Sequence, residues 1–180
     1  MKIRIIGPCG SGKSSLAKAL SLSYDLPYYE LDNVIWKRDE TGLKYPQAVR
    51  DTNLQAIVSQ AAWIVEGAQY QEWTLSTVRQ ADLIFILQPN VYVRDYRIIK
   101  RFIKSRTGIE LWNYKQTFGN LVKMIVKWNH GYDLESLLKV TEAFQGKRHV
   151  VRNRHETVRI IQQVIDNANG TINRERGMHG

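Results

Sequence analysis

Cysteine is nearly absent from this chain. Cys9 stands alone among 180 residues and can form no internal disulfide, so the sequence points to a reducing compartment. No run of about 18 apolar residues occurs, which excludes a transmembrane helix of ordinary length. The stretch Met1 to Ile6 is too short for a secretory signal, and the expected location is the cytoplasm. The four histidines (His130, His149, His155, His179) show no metal-ligand spacing with cysteine or acid, so no zinc site is assigned. Acidic residues are outnumbered, 17 against 26 lysines and arginines, a formal charge of +9. That excess favours polyanionic partners, phosphorylated small molecules or nucleic acid, without separating the two. Hydrophobic content of 43% and charged content of 24% are ordinary for a folded domain and exclude wholesale disorder. The length suits one domain with an inserted lid, and no internal repeat is present.

Short apolar runs punctuated by glycine and proline alternate with helical spacings. Strands are expected at Lys2 to Ile6, Tyr28 to Leu31, Trp63 to Val65 (stopped by Glu66-Gly67), Leu83 to Leu87, and His149 to Arg152. Helices are expected at Lys13 to Tyr24 (ended by Pro27), Gln47 to Ala61, Val91 to Ser105, Trp112 to Asn129, Asp133 to Phe144 with Asp133 as N-cap, and Glu156 to Ala168. Continuous apolar strands suit a parallel sheet covered on both faces. The alternation implies right-handed crossovers and a three-layer α/β fold. Residues 1–170 read as a single domain with a lid insertion at about 91–130. The polar residues 171–180 read as a frayed tail.

Gly7-Pro8-Cys9-Gly10-Ser11-Gly12-Lys13-Ser14 fits G-x-x-x-x-G-K-[ST] between a strand and a helix, the context a phosphate loop requires. The glycines permit a tight turn whose backbone N–H groups converge on phosphate oxygens. Lys13 is expected to reach the β- and γ-phosphates of ATP or GTP, and Ser14 to ligate Mg²⁺. The helix N-terminus adds partial positive charge at the same place. Gly7 to Ser15 are therefore the candidate nucleotide-binding residues, with Cys9 a small filler rather than a nucleophile.

Around this loop, Ile5 to Ser15, Tyr28-Tyr29-Glu30-Leu31-Asp32-Asn33-Val34-Ile35-Trp36, Trp63-Ile64-Val65-Glu66-Gly67 and Ala81 to Arg101 resemble the FlaR-type DNA topology modulation proteins, an adenylate-kinase-like P-loop family. The resemblance spans about residues 1 to 160. It implies a P-loop NTPase of nucleoside-monophosphate-kinase type: a five-stranded parallel sheet with a helical lid after the fourth strand. It implies no defined substrate. Such proteins commonly carry Leu-Asp-x-Pro after the fourth strand, whereas this chain has Leu87-Gln88-Pro89, and Gln88 supplies no carboxylate to a Mg²⁺ shell. By the same resemblance Arg152 flanks the adenine base, stacking on it or contacting phosphate.

Asp32 and Glu66 follow the second and third strands, whose carboxyl ends face the crevice of the phosphate loop. Either can hold Mg²⁺ through water or accept the proton of a substrate hydroxyl. Arg94, Arg97, Arg101 and Lys104 are spaced 3, 4 and 3, one helical stripe where a lid should lie. Ile98, Phe102, Ile99 and Ile103 form its apolar side. Trp36, Trp63, Trp73, Trp112 and Trp128 read as core or lid packing. The leading expectation is an ATP- or GTP-dependent phosphotransferase for an unknown small phosphate acceptor, a monomer or homodimer without a membrane partner. Lys13, Asp32, Glu66, Arg94, Arg97 and Arg101 are its candidate catalytic residues. The rivals are a nucleotide-gated DNA-binding regulator, motivated by the charge, and a nucleotide-binding protein without turnover, motivated by Gln88.

Overall fold

The computed structural model describes residues 1–37, 42–106 and 117–177, with side chains of the last helix described through residue 168. Five strands form one sheet: β1 Lys2–Ile6, β2 Tyr28–Glu30, β3 Trp63–Gly67, β4 Leu83–Leu87 and β5 Arg148–Val151. The order is β2-β3-β1-β4-β5 and every pairing is parallel. Parallel neighbours need crossovers, and these carry the helices α1 Lys13–Tyr24, α2 Leu31–Ile35, α3 Gln47–Val58, α4 Leu75–Gln80, α5 Val91–Arg106, α6 Phe118–Ile125 and α7 Leu134–Val140, while α8 Arg154–Gly177 follows the last strand.

Alternation along the central strands divides the core in two. Ile3, Ile5, Ile64 and Phe85 pack on one face with Leu16, Ala17 and Leu20 of α1 and Ile161 of α8. On the other, Ile6, Val65, Ile84 and Ile86 meet α2, α3, α4 and α7 through Val34, Leu54, Val78 and Leu137. Each of the fully buried isoleucines contributes about 1.5–3 kcal/mol relative to exposure. Helix α1 is capped by Gly12 before its first residue and by Asp25 after its last, both in the left-handed region, with Asp25 two residues before Pro27. At the start of α7, Asp133 accepts the Ser136 N–H at 2.8 Å, the expected N-cap.

Several boundaries move. Glu66 and Gly67 belong to β3 rather than terminating it, because Glu66 pairs with Ile5 and Gly67 with Ile6. The segment expected as one helix from Trp112 to Asn129 is α6 followed by a π-helical turn, Val126–His130; residues 112–116, Trp112 among them, lie outside the described residues. After α7 the chain tightens into a 3₁₀ segment, Glu142–Lys147, and α8 continues past the expected Ala168 to Gly177. No helix of the described residues is long and apolar enough to cross a membrane.

Candidate active site

The loop Gly7 to Ser14 leaves the carboxyl end of central β1 and turns into α1. Gly10 and Gly12 have φ of +75° and +95°, which side chains with a Cβ rarely adopt. A Cβ at Gly10 would lie 2.6 Å from the Arg94 carbonyl oxygen, so α5 rests directly on the loop. Lys13 Nζ donates to the Pro8 carbonyl at 3.0 Å, keeping the ammonium over the turn. Ser14 Oγ donates to Glu66 Oε1 at 2.7 Å, and Glu66 is buried at the end of β3. Burial pushes the Glu66 carboxyl above its usual range; the Lys13 ammonium and the Ser14 bond pull it back, while Glu30 and Asp32 push the same way as burial. Burial likewise lowers Lys13, opposed chiefly by Glu66.

Glu30 joins this group unannounced by the sequence reading. It ends β2 and pairs in register with Glu66, so both side chains leave the same face of the sheet. Only the strand order makes them neighbours. Beside β2 a cavity of about 460 Å³ opens, lined by Glu30, Asn33 and Asn53 and by Tyr29, Val34 and Ile57. Asp32 lies exposed in the first turn of α2, where Oδ1 accepts a 2.9 Å hydrogen bond from Gln69 Nε2.

Helix α5 departs from its expected stripe. Its buried residues are Arg94, Ile98, Phe102 and Ser105, whereas Ile99 and Ile103 are exposed. Arg94 therefore lies with the apolar face; its Nε has no partner among the described residues, and burial lowers its pKa. Arg97 and Arg101 flank that face and meet the loop. Arg97 Nη1 donates to the Ser11 carbonyl at 2.9 Å and to that of Gly10 at 3.4 Å. Arg101 Nη2 contacts Cys9 Sγ at 3.4 Å and Met124 Sδ at 3.2 Å. The π-helical turn adds a backbone tie, Cys9 N–H to the Trp128 carbonyl at 3.4 Å. That turn is fastened to α5 by Asp95, which accepts from buried Asn129 at 2.6 Å and pairs with His130 at 2.9 Å.

Two expected residues stand apart. Arg152 is exposed beyond β5, two strands from β1, and its backbone N–H donates to Glu156 Oε2 at 2.7 Å. Gln88 donates its N–H to the Val151 carbonyl at 2.7 Å, and its Oε1 is buried without a partner among the described residues. The carboxylate bonded to Ser14 is Glu66, on the other side of β1 from Gln88.

The donor set fits a hard cation. A hydroxyl at Ser14, already paired with one carboxylate and within the field of two others, matches the oxygen preference of Mg²⁺. Among the described residues no group of three or more His, Cys, Asp or Glu side chains is placed to hold a metal ion.

Among the solved structures that share this architecture are two small kinases. Shikimate kinase from Acinetobacter baumannii, in complex with shikimate, matches with a TM-score of 0.53 at 18% identity over 92% of this chain and 93% of that one. A gluconokinase from Sinorhizobium meliloti 1021 matches with a TM-score of 0.51 at 17% identity over 94% and 96%. The chain thus has the P-loop kinase fold. No protein-family model and no curated protein matches its sequence.

Proposed function

We propose that the protein is an ATP- or GTP-dependent phosphotransferase that places a phosphoryl group on a small acceptor. The observation that carries this reading is the Ser14–Glu66 hydrogen bond beside Lys13 at the mouth of a complete phosphate loop. Loop amides and Lys13 hold the donor phosphates. Ser14, oriented by Glu66, and Glu66 itself hold Mg²⁺, which when bound neutralises charge on the transferred phosphoryl. Asp32 accepts the proton of the acceptor hydroxyl as its oxygen bonds to the γ-phosphorus and the nucleoside diphosphate leaves. The cavity beside Glu30 and Asn33 receives the rest of the acceptor. Arg97 and Arg101 roof the loop from α5 and stabilise charge late in transfer, with Arg94 seating the helix. To Arg152 we assign the adenine-flanking role that the family resemblance implies.

The names of the two neighbours, shikimate kinase and a gluconokinase, support transfer to a hydroxyl. The FlaR-like stretches Tyr28 to Trp36 and Trp63 to Gly67 support a place among adenylate-kinase-like proteins. The deciding experiment is a thermal-shift titration with Mg·ATP and Mg·GTP, followed by a transfer screen over nucleosides, nucleotides and polyols. Stabilisation by nucleotide that Lys13→Ala removes is expected. No shift with either nucleotide, and no effect of Lys13→Ala, would discard the reading.

A nucleic-acid role retains one specific observation. The outer face of α5 exposes Tyr92 and Tyr96, with Lys100 Nζ 5.8 Å from the Tyr96 ring centroid. Contact with a phosphate backbone makes affinity fall steeply with salt. No binding to duplex DNA at low ionic strength would remove this second reading.

A further inference from the structure

We propose that Arg4 and Gln69 are positioning residues for the phosphate acceptor: Arg4 fixes the backbone of the loop after β3, and Gln69 thereby holds the Asp32 carboxylate in place. This rests on the phosphotransferase reading, in which Asp32 receives the acceptor proton.

Arg4 is fully buried in the central strand, between Ile3 and Ile5 in sequence, at a position where an apolar side chain would simply fill the core. No carboxylate pairs with it among the described residues. Burial lowers its pKa to about 10, so it stays charged at neutral pH. Its donors go instead to three backbone carbonyls: Nη1 to Ile5 at 2.9 Å and Val65 at 3.2 Å, and Nη2 to Gln69 at 2.7 Å. A buried cation is costly unless hydrogen-bonded; here Nη1 and Nη2 bond to the adjacent strands β1 and β3 and to the loop after β3, while Nε has no partner among the described residues.

The neighbouring carbonyl is gripped as well, since Tyr132 Oη donates to the Ala68 carbonyl at 3.0 Å. Tyr132 follows the π-helical turn that reaches Cys9, so the same loop is tied to the base of the lid. Held from both sides, Gln69 folds back over Gly67: a Cβ there would lie 2.5 Å from Gln69 Oε1 and 2.9 Å from Leu31 Cβ. Gln69 Nε2 then reaches Asp32 at 2.9 Å. Removing any member lets Asp32 turn away while leaving the phosphate loop intact.

The test uses the full chain and its Mg·ATP turnover, with water or any acceptor found by the screen. Gln69→Leu is expected to lower kcat about 10-fold, the lower end for loss of a supporting hydrogen bond, with the ATP dissociation constant within about twofold of wild type. If Gln69 acts through Asp32, the double variant Asp32→Asn/Gln69→Leu turns over no more slowly than Asp32→Asn alone. Arg4→Met should repeat the Gln69→Leu loss and Arg4→Lys should restore part of it. Should Arg4→Met fail to fold, the Gln69 cycle stands by itself. Fully additive losses, or unchanged turnover in Gln69→Leu, would overturn the proposal. The ¹³C resonance of the Asp32 carboxyl, independent of turnover, should move in Gln69→Leu; an unmoved resonance also overturns it. Wild-type protein with neither nucleotide binding nor turnover would instead defeat the phosphotransferase reading, while the resonance still decides whether Gln69 positions Asp32.

Discussion

Ser14 Oγ donates a 2.7 Å hydrogen bond to Glu66 Oε1 across the gap between α1 and β3. The bond orients the hydroxyl that the loop motif assigns to the metal, and it uses a carboxylate from a strand that the motif does not contain. Partners that orient a metal ligand typically matter 10- to 100-fold in affinity or activity. Glu66→Gln should therefore weaken Mg·ATP binding by about 10-fold or more and leave metal-free ATP binding nearly unchanged. Calorimetric titrations with and without Mg²⁺ check this; equal losses in both would assign Glu66 to packing alone.

The same carboxylate sets a pH dependence whose sign is fixed by burial. Glu66 titrates above its ordinary 4.5 in the folded protein. The folded state therefore binds this proton more tightly than the unfolded chain does. Stability from this group is fully present below the unfolded value and declines as pH rises through the folded one. Nucleotide binding runs the other way, because a protonated Glu66 has lost the negative charge that attracts the cation, although its carbonyl oxygen can still accept from Ser14. Mg·ATP affinity should rise across the same window, and both slopes should flatten in Glu66→Gln.

At Gly10 the left-handed φ and the 2.6 Å approach to the Arg94 carbonyl act together. Gly10→Ala meets backbone strain of about 1–3 kcal/mol, and the new Cβ also presses α5 off the loop. A loss of about 2 kcal/mol or more in urea unfolding is expected, together with weaker nucleotide binding. Gly42 provides the control, since it also has positive φ but open space around its Cβ direction.

The strands and the phosphate loop were legible because each is specified locally: β-branched runs buried on both faces, and a glycine pattern between a strand and a helix. The same logic misled at Arg94. Spacings of 3 and 4 put four basic residues on one stripe, but spacing does not say which way that stripe faces. Ile98 and Phe102 lie four and eight residues after Arg94 and carry it inward with them, leaving Arg97 and Arg101 at the edge of the buried face. Glu30 and Arg4 were hidden for a different reason. Their roles depend on strand order and register, which place Glu30 beside Glu66 and Val65 beside Arg4. The π-helical turn depends on Asn129 reaching Asp95, 34 residues away, which no local periodicity encodes.

Asp95 is the fastener between α5 and that turn. Charge-assisted hydrogen bonds of this kind contribute about 1.5–3 kcal/mol, and Asp95→Ala also leaves the buried Asn129 amide without its acceptor. Amide hydrogen exchange across residues 117–130 should speed up by about 10-fold or more while β1, β3 and β4 keep their protection. Uniform loss across the strands would show that the segment and the sheet unfold as one unit.

Arg97 donates to the carbonyls of Ser11 and Gly10, so in this arrangement it braces the loop on which the phosphates are proposed to sit. Those carbonyls are neutral acceptors, whereas charge builds on the phosphoryl oxygens as transfer proceeds, and a guanidinium on the loop's edge gains most at that later point. Arg97→Ala should lower kcat by about 100-fold or more and raise the ATP dissociation constant only a few-fold. Bound nucleotide should also protect α5 and α6 against hydrogen exchange in the wild type and much less in the variant, because the anion supplies the differential affinity that holds the segment closed. Equal effects on kcat and on nucleotide binding would make Arg97 a brace of the loop and nothing more. Equal protection with and without nucleotide would mark residues 91–130 as a fixed insert rather than a lid.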